Sequence, residues 1–409
     1  MPFRRRDVLK ATLAAPLVVP SGVLGRDGQT PPSETVRIGT IGSGNRARQL
    51  IDRMPAGGRV VATSDCDARK LRETLSIYQT DWPTYRDWRD MIDREDLDAV
   101  IIATPDHGRS LQMITACDAG LDVYAEKPLT LTVAEGRAMV VAARRSGRIV
   151  QVGTQQRTMP LNRYCCEAVR DGLLGEVRLV QARNYAPPWP MVDLPGEEPP
   201  EDLDWQEWLG PAPQRPYNPR LVFDWMKWRD YAGGLMTNWG AHGVDQIQWA
   251  LGKSLTGPRE LWPVGDDGTV HMRYDDGPLV KFELDRGPLG GAIFTASKAK
   301  IEINRNRFAT NPPGALPDAP PPSPVTDASG PDWTGPHLEN WLDCIRSRKK
   351  PNADVEIGHR SVTVCHLVNI TRRLGRRLTW DPDAERFESD AEADGLLDRP
   401  RREGYELPT

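Results

Sequence analysis

The chain has 409 residues, which at roughly 100–200 residues per domain allows two or three domains and a core large enough to fold unaided. Hydrophobic residues make up 39 % and charged residues 27 %, and no run approaches the roughly 20 apolar residues of a membrane-spanning helix. Net charge is −4, so the positive field on which nucleic-acid binding depends is missing. The six cysteines, at 66, 117, 165, 166, 344 and 365, form no C-x-x-C pair. They are read as buried thiols, with no zinc or other metal site and no disulfide framework expected.

In chain order, Arg4-Arg5-Arg6-Asp7-Val8-Leu9-Lys10 precedes an apolar run from Ala11 to Leu24 that Pro16 and Pro20 interrupt. The pattern predicts a twin-arginine export signal over residues 1–25, carrying an already folded chain to the periplasm. No A-x-A cleavage site is visible, so an uncleaved membrane tether is the other outcome. Removing the segment takes away four cations and one anion, leaving a net charge of −7.

From Val36 onward, β-branched runs alternate with runs of helical period. Val36–Ile41, Arg59–Thr63, Ala99–Ala103, Asp122–Ala125 and Ile149–Gly153 read as strands. Ala47, Leu50, Ile51 and Met54 give the first helix one apolar face. Strand, helix and strand in about 30 residues make a βαβ unit, so residues 34–155 are expected to form a doubly wound parallel sheet of Rossmann type. Gly42-Ser43-Gly44-Asn45-Arg46-Ala47 is G-x-G-x-x-A, placed where that strand ends and that helix begins. In this context Gly42 permits a tight turn, Gly44 lets a pyrophosphate approach the backbone, and the helix amides are donors to it. Asp65 ends the second strand, 21 residues after Gly44. An acid there accepts hydrogen bonds from a ribose 2′-hydroxyl and repels a 2′-phosphate, which favours NAD; Arg46, Arg69 and Lys70 keep NADP possible.

After Gly153 the pattern changes. A helix at Leu161–Leu174 leads to alternating strands at Val177–Asn184, Thr269–Tyr274, Leu279–Asp285, Ala292–Ala296 and Lys300–Asn304. Residues 156–310 are therefore expected to form an α+β substrate and oligomerisation domain with a largely antiparallel open sheet, one face exposed or covered by a second copy. Residues 311–336 contain nine prolines and read as an extended connection. Residues 337–409 supply closing helices, Leu338–Arg348 and Ser361–Leu374, then a polar tail that closes on the two domains.

Two further clusters carry chemistry. Glu126-Lys127-Pro128 follows a strand at the carboxyl edge of the parallel sheet, where such folds place ligands. A lysine there can hydrogen-bond a substrate hydroxyl and help receive its proton. Within Gly233–Asp245, His242 and Asp245 share a helix face, so that the carboxylate can set the tautomer of an imidazole accepting an alcohol proton. Eight of the thirteen tryptophans fall between Trp189 and Trp262. Such rings suit the mixed surface of a pyranose, though most are read as packing or interface. Trp239 is the ring expected near substrate, with Gln156 and Arg157 as weaker candidates.

Together these residues make the chain resemble the Gfo/Idh/MocA oxidoreductase family, which includes glucose–fructose oxidoreductase and inositol dehydrogenase. The resemblance rests on Ile41–Ala47, Asp65, A-T-P-D-H at Ala103–His107, E-K-P at Glu126–Pro128, V-G-T-Q-Q-R at Val152–Arg157 and G-A-H-x-x-D at Gly240–Asp245. With the export signal, Ile357–Ser361 resembles secreted members. The resemblance implies cofactor contacts from Thr104, Pro105, His107, Glu126 and Lys127. It also implies hydride exchange between a nicotinamide cofactor and a hydroxyl-bearing carbon of a sugar, sugar derivative or cyclitol, with Lys127 and His242 beside the reacting oxygen. One departure stands out: the usual aspartate four residues before the histidine is Asn238, an amide that accepts no proton near neutrality. Two other readings stay open, a redox-neutral NAD-dependent glycosidase or lyase with tightly held cofactor, and a nucleotide-binding sensor without turnover.

Overall fold

The computed structural model describes residues 35–305, 307–321 and 333–408; the twin-arginine segment lies outside them. Six strands form the first sheet: β1 (Val36–Ile41), β2 (Gly58–Ser64), β3 (Thr84–Tyr85), β4 (Ala99–Ile102), β5 (Asp122–Ala125) and β6 (Val150–Val152). Their order is 3-2-1-4-5-6 and every pairing is parallel. That is the Rossmann order, which places the crevice for a dinucleotide where the strand order reverses, beside β1 and β4. Being covered on both faces, its central strands carry unbroken apolar runs: all four residues of β4 are fully buried.

The second sheet has nine strands in the order 13-12-11-7-10-9-8-14-15. Five were expected, β7 (Val177–Arg183), β9 (Thr269–Arg273), β10 (Leu279–Leu284), β11 (Gly291–Ala296) and β12 (Lys300–Asn304). β8 (Glu260–Val264) contains Pro263, which hid it from a strand reading; β13 (Arg307–Asn311) lies at the end of the substrate domain, past the last strand expected there, and β14 (Leu378–Asp381) and β15 (Arg386–Phe387) lie in the segment read as tail. All pairings are antiparallel except β7 with β10. One face alternates inward, with Val180, Ala182, Val280, Phe282, Ala292, Phe294, Ile301 and Ile303 almost fully buried.

Three helix boundaries differ from expectation. The helix expected to run to Leu174 spans Pro160–Arg170 and stops well before Gly175. The two closing helices begin earlier, at Thr334 and Val355, so the proline-rich segment ends inside a helix. The first of these joins the Rossmann core, where Leu338, Trp341 and Leu342 pack with Ile38, Ile101 and Tyr124. In the polar tail, Glu385 hydrogen-bonds buried His359 and pairs with Arg137 and Arg360. Finally, Leu203, Trp205, Trp208, Leu209, Leu221, Trp228 and Tyr231 make a small hydrophobic cluster of their own. Backbone bonds from Ala68 to Asp202 and from Asp204 to Cys66 dock this lobe on the carboxyl edge of the parallel sheet.

Candidate active site

Gly42 takes a φ of +93°, and a Cβ there would come within 3.0 Å of the Ala103 carbonyl, so only glycine fits the turn. Gly44 has ordinary φ and nothing within 4 Å of where its Cβ would stand. The helix Asn45–Asp52 starts there with no side-chain cap and no acid in its first turn. Its first amides thus stay available to an anion, with the helix dipole favouring negative charge. Above them opens a cavity of ≈ 280 Å³. Its walls include Gly42, Gly44, Asn45, Arg46, Asp65, Thr104, Pro105 and His107, all drawn from the cofactor residues expected from sequence. The Asp65 carboxylate accepts from the Ser43 amide (2.8 Å) and the Asp67 amide (2.9 Å), which fixes it at the end of β2 with lone pairs to spare. This open cradle, uncapped helix and oriented acid match the demands of a nicotinamide dinucleotide.

Other expected residues turn to different work. Arg46 points toward Glu126, whose carboxylate accepts from its Nε at 2.7 Å, and Arg69 pairs with Asp67. Glu126 is buried behind the cavity, and burial alone would raise its pKa, but Arg46 and Lys127 hold it below the usual carboxylate range. It also accepts from the Lys127 amide, and a Cβ on Gly153 would lie 2.8 Å from it. Its role is therefore to orient Arg46 and Lys127. His107 packs tilted against Trp208 and Tyr231 and bonds the Trp208 carbonyl; burial pulls its pKa down to about 3.

Lys127 and Asn238 meet across 111 residues: the ammonium donates to the Asn238 side-chain oxygen at 2.5 Å and to its carbonyl at 3.2 Å. An ammonium has three N–H groups, so one remains for a further acceptor. Burial lowers the Lys127 pKa to about 8, against the opposing pull of Glu126 and Asp106. His242 sits one helical turn beyond Asn238 and is 4 % exposed. Burial, with the nearby Lys127 and Arg305 cations, holds its pKa well below that of a free imidazole, so the ring is neutral near pH 7. Its Nδ1 has no hydrogen-bond partner among the described residues. Trp239 lies beside it, ring centroids 6.0 Å apart, and Gln156 adjoins it through Gly290, with its side-chain oxygen buried and unpartnered.

Two expectations fail here. Asp245 does not reach His242: its carboxylate takes the Nε of Arg157 at 2.8 and 3.0 Å and the Ser361 hydroxyl at 2.8 Å. Arg157, 5 % exposed, is thereby spent on Asp245 and Ser254 and is no contact for a sugar hydroxyl. The shared helix face was read correctly, but an arginine from another element outcompetes a neutral imidazole for the carboxylate, because a charged partner offsets the cost of burying an anion. Sequence reading also missed the cavity roof. Trp88, Arg89, Trp208, Trp225 and Tyr405 close over the cradle from three distant stretches, with no local pattern to announce them.

Fold and site together define a dinucleotide-binding α/β protein with a lysine, a histidine and an amide at the carboxyl edge of its first sheet. Comparisons with known proteins agree. Residues 36–154 match the NAD-binding Rossmann fold of an oxidoreductase family, and residues 188–407 match the C-terminal alpha/beta domain of that family. The chain belongs to the Gfo/Idh/MocA oxidoreductase family. Curated relatives include an inositol 2-dehydrogenase/D-chiro-inositol 3-dehydrogenase of Halalkalibacterium halodurans, 28 % identical over 37 % of this chain and 45 % of the relative. An inositol 2-dehydrogenase of Salmonella typhimurium is 30 % identical over 37 % and 44 %, so these matches span less than half of the relatives' own length. Among solved structures, the aldose-aldose oxidoreductase of Caulobacter crescentus aligns with TM-score 0.61 at 20 % identity, over 84 % of this chain and 99 % of its own. At that identity the likeness concerns the fold.

Proposed function

We propose that the chain is an NAD-dependent oxidoreductase acting on a hydroxyl-bearing carbon of a sugar, sugar derivative or cyclitol. The observation that carries this reading is the Lys127–Asn238 pair, one turn from a neutral His242. When bound over Gly42 and Gly44, the nicotinamide dinucleotide supplies the hydride acceptor or donor. The remaining Lys127 N–H donates to the substrate oxygen, and neutral His242 accepts the hydroxyl proton. Asn238 orients the ammonium through two acceptors without adding negative charge, which keeps the lysine near its switching point at neutral pH. Asp65 supports NAD over NADP, since Arg46 and Arg69 are engaged with Glu126 and Asp67 and Lys70 lies 3.9 Å from Asp65 itself. The curated relatives named as inositol dehydrogenases and a D-apiose dehydrogenase are of the proposed class. Lys127→Ala and His242→Ala should each lower turnover on polyols by about 10²–10⁴-fold; unchanged turnover in both rejects the assignment.

A second reading draws on the roof. Trp208, Trp225 and Tyr405 enclose the cradle, and Tyr405 is pinned by Arg402, which bonds the Gly210 carbonyl and both the carbonyl and side chain of Gln206. A cofactor so enclosed suits a redox-neutral cycle in which oxidation, bond cleavage and reduction occur at one substrate, as in a glycosidase or lyase. Release of free sugar from a glycoside without net NADH supports this reading, whereas stoichiometric NADH returns the case to a dehydrogenase. Export by residues 1–25 and self-association through the outer face of the larger sheet belong to the same proposal. Blocked export of an Arg5→Lys/Arg6→Lys variant tests the first; a monomer in sedimentation counts against the second.

A further inference from the structure

A second cavity of ≈ 600 Å³ is lined by Gly233, the residue before the helix Gly234–Asn238, and by Asn369, which donates to the Gly233 carbonyl. In a chain of net charge −4, its wall carries four arginines, Arg229, Arg372, Arg373 and Arg399, against two aspartates, Asp230 and Asp398. Both aspartates are already paired with arginines outside the wall, Arg215 and Arg401. Of the four cations, only Arg399 has a carboxylate partner among the described residues, Glu135. Arg372 donates to the carbonyls of Gly268 and Tyr185 and to the side-chain oxygens of Asn184 and Asn369, all uncharged. Burial pulls its pKa down to about 10, against the opposing pull of Cys365 and Asp267, neither of which is in direct contact with it. Arg229 and Arg373 are exposed to the cavity mouth and make no side-chain hydrogen bond or ion pair among the described residues.

We propose that this cavity is a binding site for a small phosphate-bearing molecule, held by Arg229, Arg372 and Arg373. Three guanidinium groups with no ion-paired carboxylate among the described residues call for at least two negative charges on the ligand. A phosphate ester carries about −1.5 to −2 near neutrality and presents oxygens that match the guanidinium fork. Asn369 ties the site to the segment that carries Asn238, because it accepts from Arg372 and donates to the Gly233 carbonyl five residues before Asn238.

The test uses the full chain saturated with NAD, so that the cradle at Gly42–Gly44 is filled, and titrates inorganic pyrophosphate by calorimetry. One equivalent should bind, and the Arg229→Gln/Arg373→Gln variant should bind at least about tenfold more weakly, with unchanged melting temperature and unchanged NAD affinity. Equal pyrophosphate affinity in that variant, or no binding at millimolar concentration, overturns the proposal. Tighter binding of citrate than of pyrophosphate overturns the phosphate assignment. Failure of NAD to bind the same samples counts instead against the proposed oxidoreductase, so the two failures are separable.

Discussion

At the scale of single residues, the departure at Asn238 has a definite electrostatic consequence. A carboxylate 2.5 Å from the Lys127 ammonium would favour its charged form, whereas the amide oxygen present orients it and leaves burial to bring its pKa to about 8. Asn238→Asp should therefore raise the lysine pKa by about 1–3 units. The limb of the pH profile of kcat/KM that reports Lys127 should move to higher pH by that amount; an unmoved limb would show that the lysine does not titrate in turnover. Asp245 shows the reverse lesson: its spacing from His242 was legible, but its true partner, Arg157, is 88 residues away and no spacing rule names it.

At the scale of elements, the turn from β1 into the helix Asn45–Asp52 separates two glycine roles. Gly44→Ala meets no neighbour within 4 Å and has a φ of −74°, so folding should be unaffected while the new methyl group occupies the approach of a pyrophosphate. NAD affinity should fall by at least about tenfold, with the melting temperature preserved. Gly42→Ala forces a side chain onto a φ of +93° and against the Ala103 carbonyl, so it should lower the melting temperature as well. Equal effects of the two substitutions on stability would contradict this division. The motif was readable because turn, helix start and strand end are all local, whereas β8, β13 and β14 were not, because short edge strands depend on partners rather than on their own pattern.

At the scale of the whole molecule, all six histidines have pKa values below the ordinary imidazole range, chiefly through burial. For His107, His337 and His366 the folded values are about 3, 4 and 4. A base whose folded pKa is depressed keeps its stabilising effect above the unfolded value of about 6.5 and loses it as pH falls, because only the unfolded chain takes up the proton. Two carboxyl groups oppose this: Asp106, raised to about 6 by burial, and Glu207, also raised by burial. Between pH 7 and pH 5 the net loss is on the order of 5 kcal/mol, comparable to the stability of a whole domain. Denaturant midpoints measured across that range should fall steeply; a flat profile would mean that these imidazoles are protonated in the native state.

Local chemistry was enough, in the sequence alone, to place the Rossmann unit, the phosphate cradle, Asp65, Lys127 and His242, because each lies at a junction that period and motif define within about 30 residues. Tertiary structure alone decided which carboxylate faces which cation, as with Asp245 and Arg157, and which side chains roof the cradle from positions 88, 225 and 405. Those outcomes rest on which elements pack together over hundreds of residues and on the cost of leaving a buried charge unpaired, and neither quantity is written in any short stretch of chain.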